Sequence, residues 1–237
     1  MVPRFYVDAP LRAGSVCNLS EDAAHHAVHV LRLREQDDVT LFNGRGGEYA
    51  GRIASMQRLR IAIDVLQHRA IERESPLRVT LVQGVSAGEK MDSTVRKAVE
   101  LGVAEIQPVL ASRSVARPKG ERADSRRAHW QKVVIAACEQ CGRNRIPEVL
   151  PLTALADYRA GPGMKILLSP RAERPLSKVD GSEFILAAGP EAGFTAEEEA
   201  ALAAAGFAPA SLGPRVLRTE TAAVAALAAL NALRGDS

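Results

Sequence analysis

The sequence predicts an α/β protein in two parts, a small β-barrel-like domain followed by a parallel sheet with helices packed on it. Two observations carry that expectation. Up to about Ile71, short strand-forming runs are separated by turns and interrupted by one helix, and after Pro76 buried strands alternate with helices. The 237 residues, 46% hydrophobic and 25% charged, are ordinary for a folded soluble chain and exclude disordered, collagen-like and membrane-embedded classes.

In the first part, runs at 4–7, 39–42 and 51–54 and the alternating Leu59, Ile61, Ile63 and Val65 predict strands, with a turn at 43–47. Ser20 is a good N-cap for a helix that carries Ala24, Val28 and Leu31 at helical spacing. The polar link 72–76 closes this part, which sets the domains at 1–72 and 76–237. Beyond it, 77–85 reads as a buried strand, 91–103 as a helix ending at Gly102, 105–110 as a strand and 124–141 as a longer helix. Strands at 165–168 and 184–188, a helix over 196–205, a short strand at 212–217 and an alanine-rich last helix complete the pattern. In such sheets ligands sit at the carboxyl ends of the strands.

Net charge is only +3, but its distribution is uneven. Nine basic residues between Arg113 and Arg145 face three acidic ones, whereas 180–205 holds six carboxylates and no Lys or Arg. The basic run is either a solvated helix face or a nucleic-acid contact. No stretch reaches the ~20 apolar residues of a membrane span, and the first ten residues lack the apolar core of a secretory signal. Three cysteines, an odd number, argue for a reducing compartment, so the expected address is the cytoplasm.

Several chemical readings fail on spacing. His25 and His29 are four apart, but the HExxH arrangement needs a Glu where this chain has His26. Cys138 and Cys141 form a C-x-x-C late in a helix, where no helix N-terminus lowers a thiol pKa, and with Cys17 alone elsewhere no four-cysteine zinc site can be assembled. There is no G-x-G-x-x-G, and 84–90 lacks the Walker spacing, so neither a dehydrogenase nor an NTPase is indicated. No metal site is expected.

Two glycine-bearing loops are more informative. A buried strand at 184–188 runs into Gly189, Pro190, Glu191, Ala192 and Gly193, after which Thr195 caps a helix. The segment 211–222 places a Gly-Pro turn before Arg218, Glu220 and Thr221 at the start of the last helix. The first segment is compatible with a binding loop or a plain turn, and the second with a binding loop or a helix merely capped by Thr219 or Thr221.

Taken together, LFNGRGGEY, KMDSTVRKAVELGV, EQCGRNRIPEV, GPEAGFTAEE and LGPRVLRTETA, in that order, resemble the RsmE family of 16S ribosomal RNA (uracil-N3)-methyltransferases over nearly the whole chain. The resemblance implies an N-terminal PUA-like RNA-binding barrel and a C-terminal SPOUT domain whose parallel sheet carries a trefoil knot. Topology rules alone would give an ordinary doubly wound sheet. It further implies methylation of N3 of U1498 in 16S rRNA, free or in the small ribosomal subunit, with S-adenosylmethionine as cofactor and a homodimer as the working form. The matching cofactor loops hold Leu168 and Ser169, then Gly189, Pro190, Glu191 and Gly193, then Leu212, Gly213, Arg215 and Leu217. The family loop usually reads Gly-Pro-Glu-Gly-Gly. If the fourth position needs positive φ, Ala192 costs roughly 1–2 kcal/mol, and otherwise it is harmless.

For such a reaction the base must be unpaired and its N3 proton must leave. Glu191 and Glu220 are the candidate proton acceptors, and Arg218 is the candidate stabiliser of charge on the uracil oxygens. Arg4, Arg32, Arg34 and Arg143 are the candidate RNA contacts. Close helix approach at Ala223, Ala226 and Ala229 is the sequence argument for a dimer. The rival from another class is a non-enzymatic rRNA-binding assembly factor, which explains the basic run but not the paired glycine loops.

Overall fold

The computed structural model describes residues 2–235 and divides into two compact units, one running to Glu74 and including Cys138–Ile146, the other made of Ser75–Ala137 and the chain from Pro147. In the first, β1 (Arg4–Tyr6), β2 (Val16–Asn18), β3 (Asp38–Phe42), β4 (Glu48–Gln57) and β5 (Arg60–Arg69) form one sheet in the order β1-β3-β4-β5-β2. Only β1 and β3 run parallel. Register breaks at Ala50/Gly51 and Ile53/Ser55 bend β4, which curls the sheet around Phe5, Leu41, Ile53, Ile61 and Ile63.

The helix α1 (Glu21–His25) is capped as expected by the Ser20 hydroxyl, which accepts from the Ala23 N–H. It then widens into a π-helical turn at His26–Val30. Ala24 and Ala27 are buried against the sheet, while Leu31, expected on the inner stripe, is exposed beyond the widened turn.

Charge inside this unit is tightly paired. The Glu48 carboxylate, 4% exposed, accepts from Arg4 at 2.6 Å and from Arg73 at 3.0 Å. Two charge-assisted bonds outweigh its burial and hold it below the usual carboxylate range. Arg4 also donates to Asn144 Oδ1 at 2.7 Å, and the Asn144 amide donates to the Ile71 carbonyl. These bonds tie segment 138–146 into the first unit.

The second unit contains β6 (Arg78–Gly84), α2 (Glu89–Glu100), β7 (Glu105–Leu110), most of α3 (Glu121–Cys141), β8 (Glu148–Val149), β9 (Thr153–Ala154), β10 (Met164–Leu168), β11 (Glu183–Ala188), α4 (Ala196–Ala204), β12 (Ala208–Ala210) and α5 (Thr219–Arg234). The strand order is β12-β10-β11-β6-β7-β8, with β9 also on β7, and every pairing is parallel. The α/β class predicted from strand–helix alternation is therefore what the structure has. One sheet face packs Val82, Val109, Leu167, Ile185 and Ala187 against Phe194, Leu202 and Phe207. Helix α5 packs on α2, β6 and β11.

Two expectations are corrected. Residues 212–217 form no strand; the last strand is Ala208–Ala210, in register with β10 through Leu168↔Ala210. Gly213 at φ +110 and Pro214, which has no N–H, break the ladder there, and Val216 is left 82% exposed. The alanine face argued for dimerisation is also largely used within the chain, since Ala223 and Ala226 are fully buried where α5 packs and, of the three, only Ala229 is half-buried.

Candidate functional site

Because β12, β10, β11 and β6 are neighbours and parallel, the loops that leave them emerge side by side from one edge of the sheet. Leu168 ends β10, and the buried Ser169 that follows it donates its backbone N–H to the Ala210 carbonyl of β12 at 3.0 Å. In the loop after β11 the Gly193 N–H closes a turn onto the Pro190 carbonyl at 2.8 Å, with Gly193 at φ +68. Ala192 is absent from the positive-φ residues, so alanine at that position carries no left-handed strain. A Cβ on Gly189 would lie 3.0 Å from Gly193 Cα, and one on Gly84 would lie 2.5 Å from Pro190 Cδ. Glycine at these two places lets the loop fold back on itself and lie across the end of β6.

A polar network pins this edge. The fully buried Gln83 amide donates to the Gly84 carbonyl at 3.0 Å and to Thr219 Oγ1 at 3.1 Å. Thr219 in turn donates to the Gly189 carbonyl at 2.6 Å, and buried Ser86 lies 3.5 Å from the same hydroxyl. The side chain that opens α5 is thus bonded to the loops leaving β6 and β11. Arg218, not Thr219, is the N-cap of α5, and its carbonyl accepts from Thr221 and Ala222.

Glu191 Oε1 accepts from the Ala87 N–H at 3.0 Å and lies 3.5 Å from Lys90 Nζ. Partial burial works to raise its pKa, but the Ala87 N–H, its own backbone N–H and Lys90 prevail and hold it below the ordinary value. Its Oε2, together with Gln83 Oε1 and Glu220 Oε2, is buried without a hydrogen-bond partner. Arg215 and Arg218 are exposed, Leu212, Gly213 and Leu217 half-buried. Arg113 donates to the Ala192 carbonyl at 3.1 Å and Glu198 accepts from the Ser112 N–H, so the loop after β7 is fastened to the same glycine loop.

The four arginines expected on RNA separate into two pairs. Arg32 and Arg34 are exposed at the end of the π-helical turn. The Arg4 and Arg143 side chains are nearly buried in ion pairs, with Glu48 and Glu74 respectively, because those carboxylates need their charge in a dry setting. Burial pushes the Cys17 thiol up to about 11 and the Cys138 thiol up to about 12, which makes both poor nucleophiles. Among the described residues no group of three His, Cys, Asp or Glu side chains is placed to hold a metal, and no helix is long and apolar enough to cross a membrane.

Comparisons with known proteins place this geometry. A family profile described as an RNA methyltransferase domain matches residues 73–231, and one described as an RNA methyltransferase PUA domain matches residues 19–66. A protein of Buchnera aphidicola named ribosomal RNA small subunit methyltransferase E is 34% identical, covering 99% of this chain and 98% of its own. The chain belongs to the ribosomal RNA small subunit methyltransferase E family. Another member, from Neisseria gonorrhoeae and solved bound to S-adenosylmethionine, matches with a TM-score of 0.91 at 38% identity, covering 100% of this chain and 99% of that one. A methyltransferase from Legionella pneumophila, also solved with that cofactor, gives 0.97 at 36% identity over 100% of both chains. The fold class expected from the resemblance, a SPOUT-type sheet joined to a PUA-like barrel, is the fold class of this methyltransferase E family member.

The carboxyl edge of this family member fits a sulfonium cofactor on two counts. Its glycine loops allow close backbone approach, and its three unpartnered buried oxygens are acceptors, which suits a cationic ligand rich in N–H and O–H donors. Sequence reasoning missed Gln83 and Ser86 and left Thr219 as a cap. The available signal was a glutamine at the carboxyl end of a strand predicted to be buried, where a buried amide needs partners.

Proposed function

We propose that this chain transfers a methyl group from S-adenosylmethionine to N3 of a uridine in 16S rRNA, the position given by the resemblance as U1498. The observation that carries the reading is the meeting of three glycine-bearing or irregular loops at adjacent parallel strand ends, pinned by Gln83 and Thr219 around unpartnered acceptors. Leu168, Ser169, Gly189, Pro190, Gly193, Leu212, Gly213, Arg215 and Leu217 form the cofactor cradle, in which the chain threads the family's trefoil knot. When bound, S-adenosylmethionine supplies a methyl group on a positively charged sulfur.

The two carboxylates take different roles. Glu191 is bonded to Ala87 and Lys90 and held ionised, so it is a weak base and acts as a clamp on the turn after β6. Glu220 has a buried oxygen without a partner and is the acceptor of the N3 proton. Arg218, exposed two residues away, stabilises the charge that develops on the uracil oxygens. The barrel of residues 1–72 holds RNA through Arg32 and Arg34, and residues 76–237 carry the chemistry. The protein works in the cytoplasm on rRNA of the small subunit as a homodimer, and light scattering checks the dimer against twice 25.3 kDa.

The test is incorporation of labelled methyl from S-adenosylmethionine into 16S rRNA from a strain lacking the modification, with the product nucleoside identified by mass spectrometry. N3-methyluridine supports the reading. Tight RNA binding without methylation or cofactor binding would instead establish the non-enzymatic assembly factor.

A further inference from the structure

We infer that the groove formed by the loop after β7 and the first turns of α3 is a docking strip for the phosphate backbone of the RNA substrate. The inference rests on the methyltransferase reading and adds to it a surface outside the cofactor cradle. The groove has a volume of about 950 Å³ and is lined by Arg117, Lys119, Arg122 and Arg126, with Glu121 as its single carboxylate.

The arginines and lysine divide by what they touch. Arg117 gives its guanidinium to the carbonyls of Ala111, Ser112 and Ser114, which fixes the loop. Lys119, Arg122 and Arg126 are exposed and make no ion pair among the described residues. Elsewhere in the same basic stretch Arg127 pairs with Glu148, Arg143 with Glu74 and Arg145 with Glu72, so the unneutralised charge is concentrated in the groove.

Helix stability does not account for that placement. Arg122 and Arg126 are four apart on one helical face and lie in the first two turns of α3, where like charges repel and cations oppose the helix macrodipole. A bound polyanion reverses both effects. Arg113, which opens the stretch, donates to the Ala192 carbonyl, so the strip starts against the glycine loop of the candidate site. Exposed cations lining one groove match a phosphodiester backbone in sign.

The experiment uses the full chain carrying Lys119→Ala, Arg122→Ala and Arg126→Ala together. Affinity for S-adenosylmethionine by calorimetry should stay within about twofold, which reports an intact second unit, while affinity for a 16S rRNA fragment at about 0.1 M salt should fall about tenfold or more. The slope of log K against log salt should flatten by about 2, because each lost cation releases roughly 0.7 counterion fewer from single-stranded RNA. In methylation assays the loss should fall mainly on KM for RNA. Exchange of both arginines for lysine should restore affinity, and Arg126→Glu alone, should the triple variant fold poorly, should show the same loss in RNA binding with cofactor binding retained. Unchanged RNA affinity and salt slope would overturn the docking strip, as would competition by polyglutamate as strong as by RNA, which would mark the partner as an acidic polypeptide. A wild-type protein that binds RNA through these residues yet methylates none of it would overturn the proposed reaction and leave the strip standing.

Discussion

The Thr219 hydroxyl donates a 2.6 Å hydrogen bond to the Gly189 carbonyl, joining the first residue of α5 to the loop that leaves β11. Gln83 donates to that same hydroxyl from the end of β6. One threonine therefore fixes the distance between elements far apart in sequence.

Thr219→Val keeps the shape and removes both bonds, leaving a buried carbonyl and a buried amide short of partners at a cost of about 1–3 kcal/mol. Cofactor affinity should fall roughly tenfold with a lowered Tm, and Thr219→Ser should recover most of both. Calorimetry showing wild-type affinity in Thr219→Val would remove the network from the account of the site.

The carboxylates should separate by pH. Glu191 has a folded-state pKa below its unfolded value, so the stability it contributes is present above about pH 4.5 and is lost as pH falls through the folded value. The melting temperatures of wild type and Glu191→Gln should therefore differ at neutral pH and converge in acid. Glu220→Gln should instead lower kcat by about 10²–10⁴-fold with cofactor binding kept, and Arg218→Ala should lower it by roughly 100-fold. Single-turnover rates check both, and a Glu191→Gln enzyme slower than Glu220→Gln would exchange the two roles.

Backbone conformation gives a third contrast inside one loop. Gly193 is left-handed and Ala192 is not, so Gly193→Ala should destabilise by roughly 1–2 kcal/mol while Ala192→Gly, the family's usual residue, should cost no more than about 1 kcal/mol. Chemical denaturation of the two variants distinguishes them.

In the first unit, Glu48→Gln leaves Arg4 buried beside a neutral group and should cost about 3–5 kcal/mol at neutral pH. The Glu48 carboxyl is held below its ordinary value, so this difference should shrink as pH drops below about 4.5. Urea titrations at pH 7 and pH 4 measure it.

Much of this architecture is legible in the residues because periodicity reports burial directly. The strand at Glu183–Ala188, the helix at Glu89–Glu100 and the capped helix after Thr195 lie where apolar spacing and caps put them. Pairing is not local, and there the reading failed: Val216 and Leu217 have strand propensity but no neighbour, while Ala208–Ala210, with little propensity, is a strand because β10 lies beside it. Charge reads no better than pairing. Arg4 and Arg143 resemble free cations in sequence because their carboxylates, Glu48 and Glu74, stand 44 and 69 residues away. The glycine loops of the site are visible as motifs, whereas Gln83 gains its role only when β6 and β11 are adjacent.

The last helix is sewn in at both ends. Thr219 holds its start, and near its end the Asn231 amide donates to the Leu101 carbonyl at 2.6 Å while Ser75, the first residue of the second unit, donates to Asn231 Oδ1 at 2.9 Å. The last helix of the unit thus closes against the unit's first residue. A growing chain on the ribosome gains Thr219 and Asn231 only after every other described strand and helix of that unit has been made, so the carboxyl edge of its sheet stays unpinned until α5 emerges.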